Sequence, residues 1–397
     1  MVPGLIQQEQ PPAPFPQPRI APLDSSKLVL ELNPQPSKPN FEGLLWGQRF
    51  TPHMLIVKWK LGQGWGTPII RPYGPLPIPP SAPVLQYAAS CFEGMKAYRC
   101  NDGHIRLFRP EMNMIRMNNS AARASLPGFE GEEMIKLLKR LVQIDVEHVP
   151  HLLGESLYLR PTLIGTPDSL SMNTPTEAML YCICNPVGSY FGVGATINPV
   201  SLLAVHKYVR AWPGGTGCFK MASNYAPATM VASQAQAKGH SQILWLYGED
   251  PELTEVGAMN LFVVFKRSSK FTICTPSLLD GTILPGVTRD SVLTLLREYI
   301  SGLITLQGLP TPTEVEVQER KITMREVKEA SLTGELLEIF GTGTAACVCP
   351  VRSITEDEEV VATPVHPHGA FATELYRQIT SRQWGIIPDE RWTVTCA

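Results

Sequence analysis

A chain of 397 residues, 44 % hydrophobic and 18 % charged, is long enough for two domains of roughly 150 residues and holds ample apolar material for a core. A formal net charge of −2, with no lysine/arginine run, argues against a nucleic acid or an anionic membrane surface as partner, and no stretch approaches the ~18 uninterrupted apolar residues of a membrane helix. The nine cysteines are scattered and odd in number, against a secreted disulfide framework; Cys182/Cys184 and Cys347/Cys349 lack zinc-site spacing and nearby histidines, so no metal is expected.

Residues 1–26 carry seven prolines and read as a solvated, extended tail. Its single arginine, Arg19, does not make an arginine-rich mitochondrial presequence, and it lacks the apolar core of a secretory signal. Cytoplasm is the default location, with a mitochondrial one left open. Strand signals follow at Met54–Lys60, Ile105–Phe108, Leu157–Leu163 and Ala178–Cys184, with helical segments at Glu111–Ala124 and Glu132–His148. The turn-like Asn185-Pro186-Val187-Gly188 closes this first half, residues 27–188, and Gly192–Gly194 reads as a flexible connection within an interdomain loop over 189–199. The second half, 200–397, mixes strands at Ile243–Tyr247, Leu261–Phe265 and Phe271–Cys274 with helices at Pro227–Lys238 and Arg289–Ile300. No G-x-G-x-x-G follows a strand, which counts against a dinucleotide domain. The expectation is an α+β chain of two domains meeting at a cleft.

The second half holds the parts that a carbonyl cofactor with a phosphate tail requires: a lysine, a partner for a ring nitrogen and anchors for the phosphate. Lys220 follows the turn-rich Pro213–Gly217 and sits beside Phe219, Met221 and Tyr225, although a lysine reaching solvent is the ordinary reading of such a residue. Glu255 is flanked by Val256 and Gly257 and precedes an apolar strand, where an acid at a loop or strand entrance is equally ordinary. Leu284-Pro285-Gly286-Val287-Thr288 leads into a periodic helix whose first amides favour an anion. The Gly341-Thr342-Gly343-Thr344-Ala345-Ala346 run has the small residues and hydroxyls of a phosphate nest. In the first half, alternation puts Tyr158 and Arg160 on one face and Leu157 and Leu159 on the other.

Together with Gln86–Tyr98 (QYAASCFEGMKAY) and Leu107–Met117 (LFRPEMNMIRM), these segments resemble, in order, the branched-chain aminotransferases of pyridoxal-phosphate (PLP) fold type IV, especially the eukaryotic-type members. The resemblance runs from about Phe50 to Trp384. It implies PLP as cofactor, a large PLP-binding second domain, an active site in the interdomain cleft and a homodimer. Lys220 matches the Schiff-base lysine, Tyr225 the donor to the phenolic oxygen and Glu255 the carboxylate at the pyridine nitrogen. Arg116, Val287, Thr288 and Thr344 match phosphate contacts; Phe50, Tyr87, Phe92, Tyr158, Arg160, Ala345 and Ala346 match the substrate pocket. Three segments depart from the family pattern: Ala222-Ser223 replaces Gly-Gly, Ala258 replaces a threonine, and Ala346 replaces the first cysteine of the vertebrate Cys-x-x-Cys. The implied reaction is transamination of leucine, isoleucine or valine with 2-oxoglutarate to branched-chain 2-oxo acids and glutamate. The alternatives are a paralogue in specialised metabolism, another fold type IV enzyme such as a D-amino acid aminotransferase or aminodeoxychorismate lyase, or a non-catalytic binding protein.

Overall fold

The computed structural model describes residues 20–191, 198–363 and 370–397. The first half lays down β1 (Val29–Leu30), β2 (His53–Lys60), β3 (Gly64–Trp65), β4 (Ile69–Pro72), β5 (Ser90–Phe92), β6 (Met95–Arg99), β7 (Ile105–Phe108), β8 (Ser156–Gly165) and β9 (Glu177–Val187). Its helices are α1 (Pro83–Tyr87), α2 (Pro110–Arg123) and α3 (Gly131–Ile144). The second half contributes β10 (Val200–Val205), β11 (Gln242–Tyr247), β12 (Glu252–Val256), β13 (Met259–Arg267), β14 (Lys270–Thr275), β15 (Val315–Glu319), β16 (Leu336–Gly343), β17 (Cys347–Glu356), β18 (Glu359–Ala362) and β19 (Thr393–Thr395). With them come α4 (Ala228–Ala237), α5 (Val287–Ile300), α6 (Met324–Thr333) and α7 (Ala370–Gln383).

One sheet runs β1-β4-β2-β9-β8-β6-β7-β19, with β3 on β2 and β5 on β8. Apart from the parallel β1–β4 pair its neighbours are antiparallel, and α2 and α3 cover one face. The amphipathic α3 turns Met134, Leu137, Leu138 and Leu141 into that core, as its 3.6-residue spacing requires. The second sheet runs β12-β11-β10-β17-β16-β13-β14-β15, and β12 also pairs with β13. That extra pairing closes β12, β11, β10, β17, β16 and β13 into a ring, leaving β14 and β15 as an extension. A third cluster joins the halves, packing Tyr98 and Phe108 with Val264, Phe340, Trp384 and Trp392.

Four expectations need correcting. Residues 20–26 are not tail: Ala21 bridges to Gly64 and Leu23 is only 2 % exposed, because its side chain completes the first core. The Asn185-Pro186-Val187 turn is strand, with Pro186 opposite Leu157 and Val187 opposite Ser156; the long β8–β9 ladder overrides local turn chemistry. Gly341-Thr342-Gly343 is also strand, paired with β17, and only Thr344–Ala346 form a turn. The span 200–397 is not one unit either, because β19 pairs with β7 at the edge of the first sheet. Residues 1–19 and Gly192–Gly194 lie outside the described residues.

Candidate active site

A cavity of about 640 Å³ opens between the two sheets. One wall is β8 and β9, where alternation brings Tyr158, Arg160, Thr162, Tyr181 and Ile183 onto a single face. Leu157 and Leu159 point the other way, into the first core. The opposite wall combines Asn260 of β13, Thr342 and Gly343 of β16, the Thr344-Ala345 turn and the start of α5 at Val287 and Thr288. Arg116 from α2, Phe92 from β5, and Lys220 with Tyr225 complete it.

Lys220 is held by the half to which it does not belong. Its N–H donates to Ser120 Oγ at 2.8 Å, and its carbonyl accepts the Phe92 N–H at 3.1 Å. Both backbone groups of this loop residue are thereby satisfied across the cleft. Its Nζ is 3.2 Å from the Tyr225 hydroxyl and lies over the rings of Phe92, at 5.0 Å, and Tyr225, at 5.4 Å. An amine here is fixed in position and faces the open space.

Arg116 is fully engaged on one side. Its Nε and one terminal nitrogen form a two-point contact with Glu93, at 2.7 and 2.8 Å, and Nη1 donates to the Pro285 carbonyl at 2.9 Å. Glu93, 0 % exposed, also accepts from Asn113 and from the Gly94 N–H. Burial pushes this carboxyl up, but the charge and hydrogen bonds of Arg116, with Lys220 and Asn113, together outweigh it and hold it below the ordinary carboxylate value. Beside Glu93, Gly94 leaves room for the Tyr158 hydroxyl, which a Cβ there would displace.

Glu255 is different. It stands on β12 rather than in a loop, 3 % exposed, and does not itself line the cavity. Its Oε1 accepts the N–H of Leu284, a wall residue, at 2.8 Å. Its Oε2 lies 3.2 Å from Arg210 Nε, close enough for an ion pair but not aligned for a hydrogen bond. Burial pushes the Glu255 carboxyl up, and Arg210 only partly offsets this.

At α5 the cap is Gly286, and a Cβ on it would collide with Asn260 Oδ1. The glycine therefore lets the helix start press against β13. The first amides of α5 have no intrahelical acceptor by construction, and Thr342 Oγ1 in the adjoining wall is buried without a partner. Arg160 donates to the Tyr158 hydroxyl at 2.9 Å and lies 4.6 Å from the Phe92 ring centre, while its Nε stays unpartnered.

The cavity thus gathers Lys220, Tyr225, Arg116, Val287, Thr288, Thr344, Phe92, Tyr158, Arg160 and Ala345. It does not gather Phe50, which stacks on Tyr73, or Tyr87, 45 % exposed at the end of α1 with its hydroxyl on the Leu170 carbonyl. Ala346, the last residue of the turn, is buried and does not line the cavity. Two of the family departures, Ala222 and Ala258, lie in the wall itself. Sequence reasoning passed over Glu93, and also Thr162, Tyr181 and Ile183, which strand alternation from Arg160 and from its β9 neighbour would have picked out. Cys347 and Cys349 are unbridged and buried, and burial pushes both thiols up to about 12.

This fold and cavity are those of a class IV aminotransferase: the amino-transferase class IV family model matches residues 90–354. The chain is 47 % identical over 383 residues to a mitochondrial branched-chain-amino-acid aminotransferase of Saccharomyces cerevisiae, covering 95 % of this chain and 94 % of the relative. A cytosolic counterpart of the same organism is 46 % identical over 382 residues, covering 94 % and 98 % of the two chains. The cytosolic enzyme of Mus musculus is 44 % identical over 359 residues, covering 90 % and 89 %. The chain belongs to the branched-chain-amino-acid aminotransferase family. Its fold is also that of the branched-chain aminotransferase of Thermobaculum terrenum in PLP form (TM-score 0.66, 20 % identity, covering 88 % of this chain and all of the other). The enzyme from Thermoproteus uzoniensis with norvaline is similar at TM-score 0.65 and 23 % identity, covering 86 % of this chain and all of the other.

Proposed function

We propose that the chain transaminates leucine, isoleucine and valine with 2-oxoglutarate, using PLP held in the cavity between the sheets, and that it works as a homodimer. The observation that carries this reading is the Lys220 amine, pinned across the cleft and 3.2 Å from the Tyr225 hydroxyl. The residues present fit the cofactor. A cavity of about 640 Å³ lies within the range of small-ligand sites, ~300–1,000 Å³. The opening amides of α5, the unpartnered Thr342 hydroxyl and the remaining N–H groups of Arg116 suit a phosphate. Glu255, beneath Leu284, suits a protonated ring nitrogen, because a buried carboxylate favours a facing cation. When bound, PLP supplies the electron sink for the charge released at the substrate Cα.

The chain's own groups do the rest. Lys220 takes the proton from Cα, and its ring-flanked position keeps it over the site. Glu93 locks Arg116 so that the guanidinium needs no reorganisation when it meets an anion. Phe92, Tyr181 and Ile183 give an apolar surface for a branched side chain. Arg160, held by the Tyr158 hydroxyl and still carrying a free Nε–H, accepts the distal carboxylate of glutamate. The Ala345 and Ala346 amides receive the α-carboxylate common to both substrates. Phe50 and Tyr87, outside the chain's own cavity, are the side chains a second copy would meet.

Borohydride treatment of the purified holoprotein should fix the cofactor on Lys220, and leucine, isoleucine and valine should be the best donors to 2-oxoglutarate in an amino-acid panel. An adduct mapped to Lys207 or Lys238, or a panel led by D-amino acids, would overturn the assignment.

A further inference from the structure

Lys96 stands on β6 directly opposite Tyr158 of β8, yet its side chain leaves the first sheet and crosses the cleft. Only 8 % exposed, its ammonium donates to the Ala345 carbonyl at 2.9 Å and lies 5.2 Å from the centre of the Trp46 ring. No carboxylate pairs with it among the described residues. Trp46 in turn packs edge-on against Tyr158 and against Tyr190, both at 5.1 Å. A buried lysine without a counter-charge is costly, and a carbonyl oxygen with an aromatic face is the least that keeps it charged. Burial pushes it down to about 8, so near neutrality the cation still predominates.

The acceptor matters more than the donor. The oxygen of Ala345 and the N–H of Ala346 belong to one peptide unit, and in a trans peptide they point in opposite directions. A carbonyl drawn toward Lys96 turns the Ala346 N–H away from it. Neither the Ala345 nor the Ala346 N–H has a backbone acceptor among the described residues. The turn is clamped on its other side by Cys347, whose φ of +61° is left-handed backbone that a side chain disfavours. A charge on the carbonyl oxygen also polarises the peptide and makes its N–H a stronger donor.

We propose that Lys96 is a positioning residue for substrate: by holding the Ala345 carbonyl, it aims and strengthens the Ala346 N–H that binds the substrate α-carboxylate. This rests on the proposed reading that the 344–346 turn receives that carboxylate. It also gives the first half a part in carboxylate recognition by a turn of the second.

The test uses the holoprotein and the two halves of leucine: 4-methylpentanoic acid, which keeps the carboxylate, and 3-methylbutylamine, which keeps the amine. In Lys96→Met the Kd of the acid rises at least about tenfold, while that of the amine changes by less than about twofold. The visible absorption of the bound cofactor and the melting temperature stay near wild type. Lys96→Gln, which retains a donor of shorter reach, falls between, and carries the same comparison if the methionine variant does not fold. An equal rise for both ligands, or no rise for the acid, in whichever variant folds, overturns the proposal. Failure of the functional reading shows differently, as absence of leucine transamination in the wild type.

Discussion

Two buried carboxylate–arginine pairs flank the cavity, and they are held in opposite states. Glu93 has two aligned contacts to Arg116, one to Asn113 and one to the Gly94 N–H, and its carboxyl sits below the ordinary range. Glu255 has one N–H, from Leu284, and an arginine at the right distance in the wrong orientation, and its carboxyl sits above the ordinary range. Burial penalises both alike; what separates them is how many donors each receives. The first pair is complete and serves as scaffold for Arg116. The second has room for one more positive donor, and a protonated ring nitrogen would supply it.

Removing one member of the complete pair should have the largest effect. Glu93→Gln leaves the Arg116 charge buried and uncompensated, a loss of about 3–5 kcal/mol, read from denaturant unfolding of the apoprotein. Because Glu93 is held below its ordinary value of 4.5, its contribution is present at neutral pH and is lost as pH falls below that value. The variant should therefore lack that part of the acid-destabilisation limb, and an unchanged limb would mean that the pair is not the scaffold described. Next comes the incomplete pair. Glu255→Gln should lower turnover by about 10²–10³-fold while destabilising the apoprotein less than Glu93→Gln does, since Arg210 keeps its bonds to the Gly217 and Thr282 carbonyls. Turnover near wild type would give the ring nitrogen another partner. The smallest effect belongs to Arg210→Met. Without Arg210, burial pushes Glu255 further up, so more of it is neutral, and kcat/KM should fall by about tenfold at most. The deficit should be larger at pH 6 than at pH 8, and a deficit independent of pH would break the comparison.

Much of this was legible in the sequence where one period or one motif governs. Tyr158 and Arg160 share a wall because β-strand alternation allows nothing else, and α3 buries the face its spacing names. That Lys220 and Tyr225 stand close together follows from their spacing in one short motif. What was not legible depends on partners distant in the chain. Asn185-Pro186 looks like a turn until ten paired residues of β8 hold it extended. Gly341–Gly343 looks like a nest until β17 is laid beside it. Glu93 sits inside the Gln86–Tyr98 segment, yet nothing local says that it will meet Arg116 of α2. Phe50 and Tyr87 came with the family resemblance and lie outside the cavity of the single chain, where only a neighbour could use them.

The return of β19 to the edge of the first sheet has a kinetic consequence. Its Val394 pairs with Leu107, the Cys396 N–H donates to the Ile105 carbonyl, and Gln143 of α3 donates to the Cys396 carbonyl 253 positions away. The first sheet thus keeps an exposed edge strand, β7, until the distant β19 has been made. Its final stitch is among the most non-local contacts in the molecule, and such contacts form slowly. During synthesis this edge is a place where a second nascent copy can pair instead. A chaperone that shields β7 would then protect the yield of folded protein more than its final stability.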